Sequence, residues 1–104
     1  MAIPDFRVAV QSLNGEAVIV VEGEVDAYTA PVLAARIDGA VTGSHGRVVL
    51  DVAAMSFIDS RGLSALAQAV RALGERPLVL RCPTIMTRKL LDSSGLSSLV
   101  QLED

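Results

Sequence analysis

Aromatic side chains are almost missing from this sequence: Phe6, Tyr28 and Phe57 are the whole set, 3% of the residues. A core must therefore be built from Val, Leu, Ile and Ala, and a platform of stacked rings for nucleic-acid bases is not to be expected. Basic residues are few as well. Nine Lys and Arg stand against twelve Asp and Glu, giving a formal net charge of -3 and a pI near 5.0, so no basic field is available to a polyphosphate backbone. Nucleic acid is not an expected partner. One cysteine, Cys82, cannot close an internal disulfide, and one histidine, His45, cannot assemble a His/Cys metal site. Both fit a reducing compartment and a domain without metal or cofactor. The longest apolar stretch, Ala17 to Val21, falls far short of the roughly 20 residues of a membrane-spanning helix, and no basic-then-apolar leader precedes Phe6. The expected setting is the cytoplasm, with no direct membrane insertion.

What is present favours a folded chain. Apolar residues make up 51% and charged residues 20%, far from the polar, charge-rich signature of disorder, and 104 residues suit a single domain over 1–104. Phe6, Val8 and Val10 alternate with Arg7, Ala9 and Gln11, the period of a strand with one buried face. Asn14-Gly15 then suits a two-residue hairpin turn, and Ala17 to Val21 returns as a second strand. Its unbroken apolar character predicts burial on both faces and a central place in the sheet.

Thr29 stands where a side-chain oxygen caps a helix, Pro31 fits the first turn, and Leu33, Ile37 and Val41 form one apolar stripe before Gly43. From Arg47 the run VVLDV reads as a buried strand. Leu63, Leu66, Ala67, Val70 and Leu73 form a second helical stripe, stopped at Gly74. Pro77 to Cys82 is another strand, Thr84 caps a third helix through Leu91 that ends at Gly95, and the tail from Leu96 to Leu102 suits a short strand or docked turn. The order β-β-α-β-α-β-α predicts an α/β fold with a mixed sheet, a hairpin followed by parallel strands, and helices over at least one face.

Ser60 lies at a strand-to-helix junction, where free backbone N–H groups and the helix dipole favour an attached phosphate; locally, Asp59 or Ser60 also reads as a plain N-cap. Gly62, in the first turn, costs roughly 1 kcal/mol of helix propensity, which points to a close approach by another surface. His45 in GSHGR reads as a solvated loop residue beside Ser44, short of a catalytic triad. Asp51 and Asp59 read as a turn residue and a cap without companion metal ligands, and Cys82 as a small buried thiol. GSHGRVV lacks the P-loop lysine, and GxGxxG is absent.

The segment VLDVAAMSFIDSRGLSAL, Val49 to Leu66, strongly resembles the central motif of STAS domains, the family of bacterial anti-sigma factor antagonists. GEVDAYTAPVL, from Gly23 to Leu33, resembles the family's loop into its first helix, and TRKLLDSSGLSSLV its closing helix and tail, so the resemblance covers nearly the whole chain in order. It implies a STAS-like mixed sheet of four to five strands with helices mainly on one face. It also implies a mechanism: the unmodified antagonist binds an anti-sigma factor that is a serine kinase, frees the sigma factor, and is switched off by phosphorylation of the motif serine, here Ser60. The implied contact surface is Asp26, Asp59, Ser60, Arg61, Gly62, Leu63 and Ser64, with Asp26 and Arg61 as polar anchors, on a monomer or weak dimer. Arg61 departs from the Ser or Thr of many members. The echo LDSSGL, carrying Ser93 and Ser94, falls in the closing helix and reads as coincidence. STAS domains also serve in anion transporters and lipid-transport complexes, the alternative role; a nucleotide-hydrolysing enzyme is a distant third.

Overall fold

A computed structural model describes residues 6–104, and the part of the expected domain over 1–5 lies outside the described residues. Strands β1 (Arg7–Leu13) and β2 (Glu16–Val25) form the hairpin. Asn14 at φ 54 and Gly15 at φ 81 take the left-handed values that a tight two-residue turn needs at both positions. There follow α1 (Ala30–Thr42), β3 (Val48–Ile58), α2 (Ser60–Leu73), β4 (Leu78–Arg81), α3 (Ile85–Ser94), a 3-10 turn at Leu96–Ser98 and β5 (Gln101–Glu103). The five strands lie in chain order, the first pair antiparallel and the rest parallel. Stepping across a sheet in one direction with right-handed crossovers puts all the connecting helices on one face. The core lies under them: Ile19, Val21, Leu50 and Leu80 of the sheet meet Leu33 and Ile37 of α1, Leu66 and Leu73 of α2, and Leu91 of α3. The α/β mixed sheet expected from the sequence is the one observed.

Among the described residues the opposite face has no helices, and this corrects the expectation for the second strand. Ala17, Ile19 and Val21 are buried while Val18 and Val20 between them are partly exposed, and β3, not β2, holds the middle of the sheet. Val49 and Val79 on this face are nonetheless sealed, at 0% and 1% exposure. Strand alternation places Arg47, Arg81, Glu16 and Glu103 around them on the same face. Arg47 Nε donates to Glu16 Oε2 at 2.6 Å, Arg47 Nη1 to Glu103 Oε2 at 3.2 Å, and Arg81 Nε to Glu103 Oε1 at 2.8 Å, so the four side chains form one ion-paired network across that face.

Two further expectations are corrected. The first strand was to bury one face, but it is the sheet edge, α1 does not fully cover it, and Val10 stays 38% exposed. Cys82, expected to be buried, is exposed: β4 ends at Arg81, the chain turns outward at Cys82 with φ 57, and Pro83 takes the buried place.

Candidate functional site

The pairing of β4 with β3 stops at Asp51, whereas β2 and β3 continue side by side through Glu22–Val25 and Ala54–Ile58 with two register shifts. At the tip of this ribbon Val25 pairs with Ile58, and Asp59 N donates to Val25 O at 3.1 Å. Asp26 and Asp59, the next residue of each strand, therefore stand together at the carboxyl ends of neighbouring parallel strands, the end where open α/β sheets present their loops.

Asp59 is the N-cap of α2. Its backbone is extended, and Oδ1 accepts from Arg61 N at 2.9 Å and Gly62 N at 3.2 Å. Ser60 is the first helical residue; it is exposed, and its hydroxyl has no hydrogen-bond partner among the described residues. The amide groups that the sequence offered to a phosphate on Ser60 are thus partly taken: a carboxylate already occupies two of them, which leaves the exposed Arg61 as the cation of this turn.

Gly62 has a steric cause. A Cβ there would lie 2.5 Å from Ile58 Cγ1 and 2.8 Å from Val25 Cγ1, so the first turn of α2 sits directly on the strand ends. The close approach that the glycine signalled is internal, and Gly62 is buried and offers no side chain outward. Leu63 is half-buried against the core, while Ser64 is exposed.

The loop before α1 is organised by Asp26, where the sequence pointed to Thr29. Thr29 has helical angles and makes no cap bond; its hydroxyl donates to Glu24 O at 2.8 Å and accepts from Asp26 N at 2.8 Å. Asp26 Oδ1 instead accepts from Tyr28 N at 2.9 Å and Thr29 N at 3.1 Å. These two amides, Thr29 foremost, hold the Asp26 carboxyl below the ordinary aspartate value. A depressed native value means stability that is present above the unfolded value of about 3.9 and lost as pH falls through the lowered one. Asp26→Asn keeps an acceptor oxygen but no charge. It is expected to melt below the parent chain at about pH 6 and to converge with it near pH 2, in a thermal melt followed across that range; a gap that persists in acid would count against the charged bonds. The loop carries Tyr28 at 89% exposure.

Other candidates are dispersed. Asp51 lies on the helix-free face and accepts from Ala53 N at 3.1 Å, apart from Asp59, and no group of three or more metal-ligating side chains occurs among the described residues. His45 is exposed in the α1–β3 loop, its amide bonded to Gly15 O at 3.3 Å. Ser93 and Ser94 end α3 with hydroxyls bonded back to Leu90 O and Leu91 O, unlike Ser60. The sequence reading missed a hollow of about 310 Å³ beside the β3–α2 junction, walled by Phe57, Met86 and Leu90, with Phe57 49% and Met86 66% exposed. Met86 and Leu90 stand four residues apart in α3 and so share one helix face. A second cleft, of about 260 Å³, separates α1 from α2 and has Arg61 and Ser64 on its wall.

The STAS domain family model matches residues 7–104, which takes in every element of this architecture. The chain belongs to the STAS domain family. An anti-sigma-F factor antagonist of Mycobacterium tuberculosis is 36% identical over 76 residues, 72% of this chain and 62% of that protein, so the STAS domain described here spans less than two thirds of that relative. An anti-sigma-B factor antagonist of Listeria monocytogenes is 30% identical over 88 residues, 83% of this chain and 77% of its own. Among solved structures, an anti-sigma factor antagonist from Mycobacterium paratuberculosis has a TM-score of 0.81 at 32% identity, covering 95% of this chain and 86% of that one. The phosphorylated form of the Bacillus cell fate determinant SpoIIAA, at 23% identity and a TM-score of 0.72 over 96% of this chain and 92% of that one, shares the STAS fold.

Proposed function

We propose that this STAS domain is an anti-sigma factor antagonist. Unmodified, it binds an anti-sigma factor with serine kinase activity through the first turn of α2 and the loop before α1, releasing a sigma factor; phosphate on Ser60 ends that binding. The observation that carries the reading is the Ser60 hydroxyl, exposed and unbonded at the start of a helix whose position is fixed by the Asp59 cap and the Gly62 seat. The names of the Mycobacterium and Listeria relatives support the partner class. Ser60, Arg61 and Ser64 form the exposed contact with the half-buried Asp59 beside them, Leu63 borders it, and Gly62 acts by seating the turn. Asp26 acts by shaping the loop that carries Tyr28, since its Oδ1 is committed to backbone amides. The protein works by binding, not by catalysis, in the cytoplasm.

Capture of partners from the host with the unmodified chain, followed by mass spectrometry of proteins and phosphosites, tests this. Recovery of an anti-sigma factor with a kinase domain, and a phosphate on Ser60, is the expected result. Recovery of a permease with its ATPase instead would replace the reading by the transport role.

A further inference from the structure

The outer edge of β1 has no strand beside it among the described residues. The two-residue turn makes Leu13 and Glu16 a mutually hydrogen-bonded pair, and with the unbroken register Leu13↔Glu16, Gln11↔Val18, Ala9↔Val20 and Arg7↔Glu22 the bonded pairs alternate along the hairpin. The N–H and C=O groups of Val8, Val10 and Ser12 therefore point away from β2, into solvent, as an unused ladder of three donors and three acceptors.

Among the described residues this edge carries few of the features that usually blunt one. β1 runs for seven residues without proline, lysine or a register shift, and Arg7 is its single charge. Its apolar side chains are uncovered: Val10 is 38% and Leu13 67% exposed. Beside Val10 an open groove of about 240 Å³ runs along α1, floored by Ala35 and Gly39, where a Cβ would meet nothing within 4 Å.

We propose that two copies of this chain associate through β1, antiparallel about a two-fold axis at Val10, joining their sheets into one of ten strands. In this register Val10 faces Val10 of the other copy, and Val8 faces Ser12 in both directions, so all three donors of the strand meet all three acceptors. On the helix-free face the same register sets Arg7 against Leu13 and Ala9 against Gln11 of the other copy. No like charges are opposed, and the exposed leucine gains the stem of the arginine. The side chains of Val8 and Val10 share the face of Val21 and Ile19, so the pairing extends the apolar side of the sheet toward α1 of each copy. Ser60 and Asp26 are not on β1, so such a dimer displays two phosphorylation sites.

Sedimentation of the full chain from about 10 μM to about 1 mM, together with amide hydrogen exchange, decides the matter. The expected result is a concentration-dependent dimer in which the amides of Val8, Val10 and Ser12 gain protection as the dimer fills while those of Ala9 and Gln11, already bonded to β2, do not change. Val10→Lys, which sets two cations face to face on the axis, is expected to raise the dissociation constant at least ~tenfold. A chain that stays monomeric throughout, or a dimer that leaves those three amides exchanging freely, overturns the proposal. So does a folded Val10→Lys variant that dimerises as well as the parent, and the exchange pattern of the parent chain gives the answer without any variant.

Discussion

Phosphorylated on Ser60, the protein is expected to bind its anti-sigma partner about a hundredfold more weakly than the unmodified chain, while its melting temperature moves by less than about 4 °C. The group brings roughly -1.5 to -2 charges at neutral pH. In the free domain it stands in water on an exposed residue, with Arg61 next to it as a partial counter-charge. The amides of Arg61 and Gly62 do not serve it, because Asp59 Oδ1 already holds them, and the Asp59 carboxylate adds a like charge one residue away. Against a packed partner surface the dianion loses its water and faces that carboxylate with little compensation. A penalty of ~3 kcal/mol corresponds to the hundredfold loss. Because the phosphate touches no buried group, circular dichroism should be unchanged. Titration of the partner with the two forms, beside their melting curves, checks both parts; a phosphorylated form that binds equally well, or that unfolds many degrees lower, removes the interface-clash mechanism.

Gly62→Ala is expected to destabilise the domain by about 1–3 kcal/mol, although glycine to alanine in a helix ordinarily stabilises by up to about 1 kcal/mol. The sign is reversed by the Ile58 and Val25 side chains, 2.5 Å and 2.8 Å from the new methyl. Both side chains are buried, at 3% and 0% exposure, and β-branched, so neither can swing aside cheaply. Gly39→Ala in α1 is the matched control, since its methyl would meet nothing within 4 Å, and it should gain about 0.5–1 kcal/mol. Chemical denaturation of the two variants distinguishes a steric requirement at Gly62 from a general preference; stabilisation of both would show that α2 is free to lift off the strand ends. Lifting α2 would also move Ser60 and Arg61, so weaker partner binding is expected to accompany the lost stability of Gly62→Ala.

Most of the element order was legible because each stripe had its own period: i, i+3, i+4 in α2, and alternation in β1. The Asn14-Gly15 turn and the Asp59 cap were legible because few residues do that chemistry. The ribbon that lifts the site was not. Across the register shifts, β3 buries Val52, Met55 and Ile58 at a spacing of three, a pattern that belongs to neither a regular strand nor a helix, and Gly23 at φ 90 looks like a strand end. Thr29 was a plausible cap by type, but whether it or Asp26 holds the loop depends on backbone angles that composition does not carry. The ion-paired network on the helix-free face depended on Arg47 and Glu103, 56 residues apart, meeting across the sheet. The place of Ser60 at the start of a helix was legible from the apolar stripe that follows it, and its candidacy as a site came from the motif alone. The exposure of Phe57 and Met86 beside it needed the fold.

The central claim is that Ser60 is the phosphate acceptor. It is tested most directly by incubating the chain with the proposed anti-sigma kinase partner and ATP, with site mapping by mass spectrometry. Ser60 has a free hydroxyl on an exposed first turn, whereas Ser93 and Ser94 have theirs bonded within α3. The expected result is stoichiometric phosphate on Ser60 of the parent chain and none on Ser60→Ala. Phosphate that persists in the Ser60→Ala variant on Ser56, Ser64, Ser93 or Ser94 would contradict the assignment.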